Sequence, residues 1–449
     1  MVLSNAHIIN PDSSFQADIL IRDGKIAALE QPGTFTETND YRIIDATGFY
    51  VLSGGIDPHV HLSLPTPAGP SADDFITGSK AALVGGVTHI IDFVTPRRGQ
   101  SLSEALADRQ KEASGSNIDV SFHMGISGWL PDMERQMEAC VKNHGIVSFK
   151  VYLAYRQTIG IDYDALERIM TIASRLGAIV LVHAEEGDVI EKLQHEFVKK
   201  CMTHPRFHAL SRPPETESNA VQKVLELVHK TDCKTYFVHI STAESAKLIS
   251  EAKREGLPLY AETCPHYLIL NDKVYQGEFE QSASYVFSPP AREEHNIEAL
   301  WEHLVNGTFD TVATDHCPFS MQQKKAGIDN FTLIPNGAGG LEFRVPLLYS
   351  FGVLQKKLPL SQWIRLISTN PAAIFGLDKK GSIAPGMSAD LILFDPGVQS
   401  TLSAKHQYQH CDINIYEGIT VTGQVIRTYK NGVPLFKKHF NADSFKGKN

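Results

Sequence analysis

The chain has 449 residues, of which 42% are hydrophobic and 21% charged, and its formal net charge is −9. This composition is typical of a globular protein long enough for one large and one smaller domain. The acidic balance without a basic block argues against a nucleic-acid surface, and no apolar run approaches the length of a membrane span. The N-terminus has no charged segment followed by a long apolar stretch, so we expect a cytoplasmic enzyme without a signal peptide.

Both ends of the chain carry β-hairpin patterns. Residues 17–29 predict two strands joined by Asp-Gly, and residues 423–436 predict a second hairpin that turns at Asn-Gly. Residues 389–394 predict one further strand. Because isolated hairpins are only marginally stable, we expect residues 1–50 and 379–449 to pack together as one small composite β-sandwich domain.

The middle of the chain, residues 51–378, alternates apolar strands with helical patterns, which predicts an α/β fold of the (β/α)8 TIM-barrel type. We place insertions near 185–220 and 265–310. A doubly wound open sheet is the alternative, but it calls for a glycine-rich phosphate loop that this sequence lacks. The eight candidate barrel strands begin near Tyr50, Val87, Val120, Val147, Ile179, Tyr236, Leu259 and Thr311.

His59-Val60-His61 is the first sign of a functional site. Two histidines two residues apart on an extended segment point to the same side, where neutral imidazoles can hold one divalent metal. Alone, such a pair is more often structural than metal-binding. Its significance comes from four more ligand-type residues at or just past other apolar runs: Lys150, His183, His239 and Asp315.

The ends of parallel strands are where a TIM barrel builds its active site. Each of these residues also has a plainer interpretation: a hydrogen-bonded histidine, a turn-capping aspartate, or a lysine whose ammonium reaches solvent. Ligand-type residues at five strand ends are much more readily explained by one shared site than by five independent structural roles. The sequence therefore predicts a dinuclear centre, with zinc as the default among zinc, manganese and iron.

The six candidate ligands fall into three groups: His59, His61 and Asp315 for one metal, His183 and His239 for the other, and Lys150 between them. A protonated lysine cannot ligate metal and is costly to bury. We therefore expect Lys150 to carry a carbamate formed from CO2, which supplies anionic oxygen ligands to both ions. The paired metals would supply a bridging hydroxide, and Asp315 would move its proton to the leaving nitrogen.

Seven segments together form a recognisable set: residues 55–61, 71–75, 148–155, 262–267, 288–292, 314–319 and 334–337. They resemble the cyclic amidohydrolase superfamily, and most closely its dihydropyrimidinase/D-hydantoinase group. The likeness covers nearly the whole chain. It implies a metal-dependent hydrolase in which the bridging hydroxide attacks the ring carbonyl of a dihydropyrimidine or a 5-substituted hydantoin.

The resemblance also implies substrate contacts. Tyr155 would donate to the oxyanion of the tetrahedral intermediate, and Ser288 and Asn336 would bind the cyclic amide largely through backbone groups. The plainer interpretation of Tyr155 is a packed aromatic whose hydroxyl finds another partner. Its place five residues beyond Lys150, where a strand gives way to a loop, favours the catalytic role.

The sequence also departs from the pattern of its relatives. Residues 62–70 contain neither the arginine of the dihydroorotase pattern nor the Asp-Met-Pro-Phe-like run of D-hydantoinases. We therefore expect an altered pocket for the ring substituent, to which Tyr152 and Thr158 contribute. The resemblance implies a homo-oligomer, a dimer or a tetramer, although the segment after Phe436 is shorter than the oligomerising tail of many relatives.

Three other functions stay open at this point. The first is an allantoinase-like ureide hydrolase, the second a linear N-acyl or peptide amidase, and the third a non-catalytic scaffold of the same fold. Scaffold relatives lack the metal ligands, whereas all six positions are intact here. A small-molecule cyclic amide as substrate, with no nucleic-acid or membrane partner, is the expectation that we take to the structure.

Overall fold

A computed structural model describes residues 1–35, 41–356 and 358–438 of the chain. Part of the predicted terminal domain, and the tail from residue 439 onward, lie outside the described residues. The strands within these ranges are, in chain order, β1 (Val2–Ile9), β2 (Ser14–Arg22), β3 (Lys25–Glu30), β4 (Ile43–Asp45), β5 (Tyr50–Ser53), β6 (Gly55–Val60), β7 (Val87–Val94), β8 (Asp119–Gly125), β9 (Ser148–Tyr152), β10 (Ile179–His183), β11 (Thr235–Phe237), β12 (Leu259–Thr263), β13 (Thr311–Val312), β14 (Leu391–Thr401), β15 (Thr420–Lys430) and β16 (Val433–Lys437).

Most helices follow a strand in the middle of the chain. The α-helices are α1 (Phe75–Val84), α2 (Leu102–Ala113), α3 (Met133–His144), α4 (Tyr163–Leu176), α5 (Gly187–Lys199), α6 (Arg206–Leu210), α7 (Pro214–Thr231), α8 (Ala243–Arg254), α9 (Pro265–Ile269), α10 (Phe279–Ser284), α11 (Glu294–Val305), α12 (Met321–Lys324), α13 (Arg344–Leu347), α14 (Leu360–Ile364) and α15 (Asn370–Ile374). Short 3-10 and π-helical turns join them at Asp272–Tyr275, Lys325–Gly327, Phe331–Leu333, Leu348–Val353, Arg365–Thr369 and Ala404–His406.

The strands of the two chain ends form one sheet, in the order β16-β15-β14-β5-β1-β2-β3, with β4 beside β1. Strand β5 joins the two ends, because it pairs with β1 on one side and with β14 on the other. Both predicted hairpin turns have two successive residues of positive φ, at Asp23-Gly24 and Asn431-Gly432, which matches the twist of the flanking strands. The predicted β domain built from both termini is confirmed.

Strands β6 to β13 run parallel in sequence order and form the barrel. Val60 at the end of β6 bridges His316 just past β13, and the His61 amide donates to the His316 carbonyl at 2.8 Å, so the first and last strands meet. The extra helices α5–α7 and α9–α11 follow β10 and β12, where the insertions were predicted. The predicted TIM barrel is confirmed.

The barrel helices illustrate how local sequence sets these elements. Helix α4 begins after Asp162, whose carboxylate accepts from the Ala165 amide, and ends at Gly177 in the left-handed conformation. Between these caps, residues at the helical spacing are buried in the main core, among them Leu166, Ile169, Met170 and Ala173. In the described part of the chain, no helix combines the length and apolar character needed to cross a membrane.

The first barrel strand differs from the prediction. The apolar run at Tyr50 was expected to begin the barrel, but it forms β5 of the terminal sheet, and the barrel begins at Gly55. The chain crosses between the sheets at Gly54, where an added Cβ would lie 2.2 Å from the Thr88 hydroxyl oxygen. Two strands with different partners therefore follow one another in a nearly continuous apolar stretch, which a sequence pattern cannot divide.

Candidate active site

A cavity of about 580 Å³ opens at the carboxyl ends of the barrel strands. Residues 64–68 and 332–337 form part of its wall. Every residue that the sequence predicted for the site lines this one cavity: His59, His61, Lys150, Tyr155, His183, His239, Ser288, Asp315 and Asn336. Tyr152 and Thr158, expected to shape the substituent pocket, line it as well. The structure thus brings together residues that lie up to 277 positions apart in the sequence.

Five of the eight barrel strands, β6, β9, β10, β11 and β13, supply the six candidate ligands. His59 lies in β6 and His61 directly follows it, Lys150 is the central residue of β9, and His183 is the last residue of β10. His239 and Asp315 come two and three residues after β11 and β13. Side chains on parallel strands that end together point into one space, which is how the barrel collects them.

Asp315 forms a cluster with the two histidines of β6. Its Oδ1 lies 3.2 Å from His59 Nε2 and 3.3 Å from His61 Nε2. The ligand atoms of the three residues all lie within 4.8 Å of one another, which fits one divalent ion. Burial alone would raise the pKa of Asp315, but His59 and His61 lower it below its ordinary value, so the carboxylate is charged at neutral pH.

Glu262, on β12, orients His59. The His59 Nδ1 donates to Glu262 Oε1 at 2.7 Å, which leaves Nε2 facing Asp315. Glu262 also accepts from the Tyr236 hydroxyl at 2.8 Å and from the His239 amide at 3.1 Å. Burial raises the pKa of Glu262 to about 8, and these donors act in the opposite direction. A carboxylate on the far nitrogen of an imidazole is the usual support of a metal-binding histidine.

His183 and His239 form the second imidazole pair, with ring centroids 4.6 Å apart. The Nε2 of His183 donates to Glu185 Oε2 at 2.7 Å, and Arg212 donates to the same carboxylate oxygen at 2.5 Å. The His183 Nδ1 is therefore the nitrogen free for another partner. Burial lowers the pKa of both histidines, and the neutral imidazole that results is the form that binds metal.

Lys150 lies between the two groups and is fully buried. Its Nζ sits 5.0 Å from the centre of the Phe93 ring and 4.9 Å from that of Tyr152, and it has no hydrogen-bond partner among the described residues. Burial lowers the pKa of this amine to about 8, although Asp315 and Glu262 raise it. A buried polar atom without a partner is costly. The amine therefore fits a site that is completed by a further group.

Tyr155 follows β9 and has a left-handed backbone, with φ of 58°. Its ring lies beside His183, with centroids 5.5 Å apart, and over the guanidinium of Arg212 at 5.3 Å. Asn336 Nδ2 donates to the Tyr155 hydroxyl oxygen at 3.4 Å. Because that oxygen acts as acceptor, the hydroxyl hydrogen stays available for a group in the cavity. Ser288 is buried at the cavity wall.

Sequence reasoning missed the residues that support the ligands: Glu185, Arg212 and Glu262. Each acts on the cavity through another side chain, so its role depends on a partner that the sequence does not reveal. The one available signal was a carboxylate at the end of an apolar strand, which both Glu262 on β12 and Glu185 just after β10 display. Supporting carboxylates of this kind are part of most histidine-based metal sites.

The geometry of this cavity agrees with comparisons to known proteins. Residues 50–435 match the Amidohydrolase family. The chain belongs to that family. It is 40% identical over 434 residues to a D-hydantoinase of Geobacillus stearothermophilus, a match that covers 96% of this chain and 92% of that one. It is 35% identical over 445 residues to a dihydropyrimidinase of Rattus norvegicus, covering 97% of this chain and 85% of that one.

The fold comparison gives the same result. The crystal structure of a dihydropyrimidinase from Brevibacillus agri NCHU1002 superposes with a TM-score of 0.94 at 39% identity, covering 97% of this chain and 95% of that one. The predicted resemblance to the dihydropyrimidinase/D-hydantoinase group is therefore confirmed.

Proposed function

We propose that this protein is a cyclic amidohydrolase that opens the ring of a dihydropyrimidine or a 5-substituted hydantoin. The observation that carries the proposal is the cavity itself, where two imidazole pairs, a carboxylate and a buried unpartnered amine face one space beside a tyrosine hydroxyl. Relatives named D-hydantoinase and dihydropyrimidinase support the substrate class. The substrate is thus a small neutral cyclic amide.

The donor set fits two divalent ions. We assign the protein groups as follows: His59, His61 and Asp315 to one ion, His183 and His239 to the second, and a carbamate on Lys150, formed from CO2, to both. Nitrogen and carboxylate-type oxygen donors suit zinc, which we propose as the metal. Bound here, two such ions would lower the pKa of a water molecule and polarise the ring carbonyl.

The chain's own groups then carry the proton and hold the substrate. Asp315 starts as a charged carboxylate, so it can accept the proton of the attacking water and return it to the ring nitrogen that leaves. The hydroxyl of Tyr155 donates to the carbonyl oxygen as negative charge develops there. Backbone groups of Ser288 and Asn336 bind the cyclic amide and fix which carbonyl faces Tyr155.

We also propose a cytoplasmic homo-oligomer, a dimer or a tetramer. Because β5 belongs to the terminal sheet, we move the predicted boundary between residues 50 and 51 to Gly54, and propose a β domain from residues 1–53 and 379–449 and a catalytic barrel over residues 55–378. Sedimentation at several protein concentrations tests the assembly. A single species with the mass of one chain would reject it.

The function is tested with a substrate panel and a metal count on the same preparation. The panel contains dihydrouracil, 5-substituted hydantoins, allantoin and dihydroorotate, and we expect turnover of the first two classes with two metals per chain. Lys150→Ala should lose at least one metal and nearly all turnover. Lys142→Ala, an exposed position on α3 paired with Glu138, is the matched control. Two retained metals with normal turnover in Lys150→Ala would reject the bridging role.

A further inference from the structure

Lys324, the last residue of α12, is almost completely buried at 1% exposure. Its Nζ donates to three backbone carbonyls: Val286 at 2.8 Å, Pro335 at 2.9 Å and Gly337 at 2.9 Å. An ammonium has three hydrogens, so each one has its own acceptor. None of the ion pairs among the described residues includes Lys324. Besides the three carbonyls, the ring of Phe319 faces its ammonium, with 5.7 Å between Nζ and the ring centre.

These three carbonyls belong to two separate segments of the cavity wall. One carbonyl lies two residues before Ser288, and the other two flank Asn336 on both sides. The segments also contact each other directly, because the Gly337 amide donates to the Val286 carbonyl at 3.0 Å. The ammonium of Lys324 therefore adds three hydrogen bonds to this direct contact, and together they link the backbone near Ser288 to the backbone around Asn336.

Lys324 acts from behind the cavity wall. Ser288, Asn336 and Gly337 line the cavity, whereas Lys324 does not. Its own position is fixed by α12, which begins where the Ser320 hydroxyl accepts from the Gln323 amide. The lysine is thereby anchored to the loop that follows Asp315 while it holds the two segments opposite.

An apolar side chain would fill this space at a lower desolvation cost. Burial lowers the pKa of the Lys324 amine to about 7, and the nearby side chains of Cys317 and Cys411 act in the opposite direction. Without the lysine, the carbonyls of Pro335 and Gly337 would lose the donor that Lys324 gives them, while the Val286 carbonyl would keep the Gly337 amide. Buried carbonyls without a donor are rare in native backbones. The hydrogen bonds to the three carbonyls thus offset part of the desolvation cost of burying the ammonium, and they form only when the backbone keeps this arrangement.

We propose that Lys324 is a positioning residue that fixes the backbone at Ser288 and Asn336 in the geometry that binds the substrate amide. This role rests on the proposed function, because the substrate contacts of those two residues come from it. Backbone groups that are already held in position bind a ligand without paying the entropy of being ordered. If they become mobile, the main effect is therefore a lower affinity for the substrate. Lys324 has no hydrogen bond to a proposed metal ligand, so we expect its substitution to leave the metal content unchanged.

The test compares Lys324→Met with Lys325→Met. Lys325 is the adjacent lysine, exposed and paired with Glu280, so the control removes an amine from the same segment without affecting the carbonyls. In Lys324→Met, KM for dihydrouracil and for a hydantoin rises roughly 10- to 100-fold, while kcat changes much less and two metals per chain are retained. Amide hydrogen exchange at residues 286–288 and at Asn336 and Gly337 becomes faster, whereas exchange at residues 148–152 stays as in the unmodified protein.

The outcomes distinguish failure of the positioning role from failure of the proposed function. Unchanged KM and unchanged exchange in Lys324→Met would overturn the positioning role while leaving ring opening intact. No ring opening by the unmodified protein on any substrate would overturn both the proposed function and the positioning role, and faster exchange at the two segments would then show only that Lys324 holds the backbone together. If Lys324→Met does not fold, Lys324→Gln carries the same test, because an amide keeps two of the three donors. For Lys324→Gln, a KM above that of the unmodified protein supports the role, whereas a KM and an exchange rate equal to those of the unmodified protein overturn it.

Discussion

The buried amine of Lys150 predicts that the metal-free protein takes up carbon dioxide at a pH where ordinary lysines do not. Only the neutral amine reacts with CO2. Burial lowers the pKa of Lys150 from 10.5 to about 8. At pH 7 an amine with a pKa near 8 is about 9% neutral, whereas one at the ordinary value is about 0.03% neutral. The cavity therefore makes the reactive form about 300-fold more abundant at neutral pH.

The sign of the pH dependence follows from the same shift. As the pH rises through about 8, the fraction of neutral Lys150 grows and then levels off, so the uptake rate at a fixed concentration of dissolved CO2 should do the same. For an exposed lysine the neutral fraction would reach its midpoint and level off only above pH 10. The experiment must hold dissolved CO2 constant, because total bicarbonate at a fixed amount supplies less CO2 as the pH increases.

The assay starts from protein stripped of metal with a chelator and kept in CO2-free buffer. ¹³C-labelled CO2 is then added at a series of pH values, and the carbamate carbon is followed by NMR, with metal uptake measured afterwards. Lys150→Met serves as the control, since its thioether leaves the pocket filled without an amine. A midpoint near pH 10, the same label in Lys150→Met, or full metal binding without any CO2 would refute the reasoning.

Three other substitutions probe the site and the fold. Tyr155→Phe should keep both metals and lower kcat by about 10²–10³, the usual loss for one oxyanion donor, and an unchanged kcat would remove Tyr155 from the mechanism. Glu262→Gln should weaken metal binding about 10–100-fold because a neutral amide replaces the carboxylate that orients His59; titration of metal into stripped protein measures this, and equal affinity would contradict it. Asp390→Asn removes one of the two carboxylates that Lys380 and Lys430 share and leaves Asp119 as the other, so it should lower the free energy of unfolding in urea by about 1–3 kcal/mol, whereas an equal midpoint would show that Asp390 adds nothing.

The residues that line the candidate site could be predicted from the sequence, whereas the residues that support them through hydrogen bonds could not. The ligand-type residues stand at strand ends, and the barrel places such ends together regardless of the distance between them along the chain. Nothing local marks the partners of those residues. His59 and Glu262 are hydrogen-bonded across 203 positions, and Lys324 reaches Val286 across 38. A pattern along the sequence reveals which face a residue lies on, and it does not reveal which distant group will meet it there.

The strand boundaries show the same limit at a smaller scale. Most predicted barrel strands begin within a few residues of the observed ones, because a buried parallel strand is a continuous apolar run between turns. The exception is the stretch from Tyr50 to Val60, where two such runs follow one another. Strand β5 is distinguished from β6 only by its pairing with β1 and β14, and β14 lies more than 300 residues further along the chain.

Three of the proposed site residues have a left-handed backbone that is unfavourable for residues other than glycine: Tyr155 at φ 58°, His239 at φ 40° and Asp315 at φ 49°. Each follows a barrel strand and turns the chain so that its side chain lines the cavity. Such a conformation costs about 1–3 kcal/mol and persists only when neighbouring contacts hold it. Tyr155 is held through its carbonyl, which accepts from the Gly160 amide at 2.9 Å, and His239 through its amide, which donates to Glu262. Glu262 therefore stabilises a strained turn and orients His59 with the same carboxylate. Glycine at these positions would relieve the backbone strain, but it would also remove the side chain that the turn directs into the cavity.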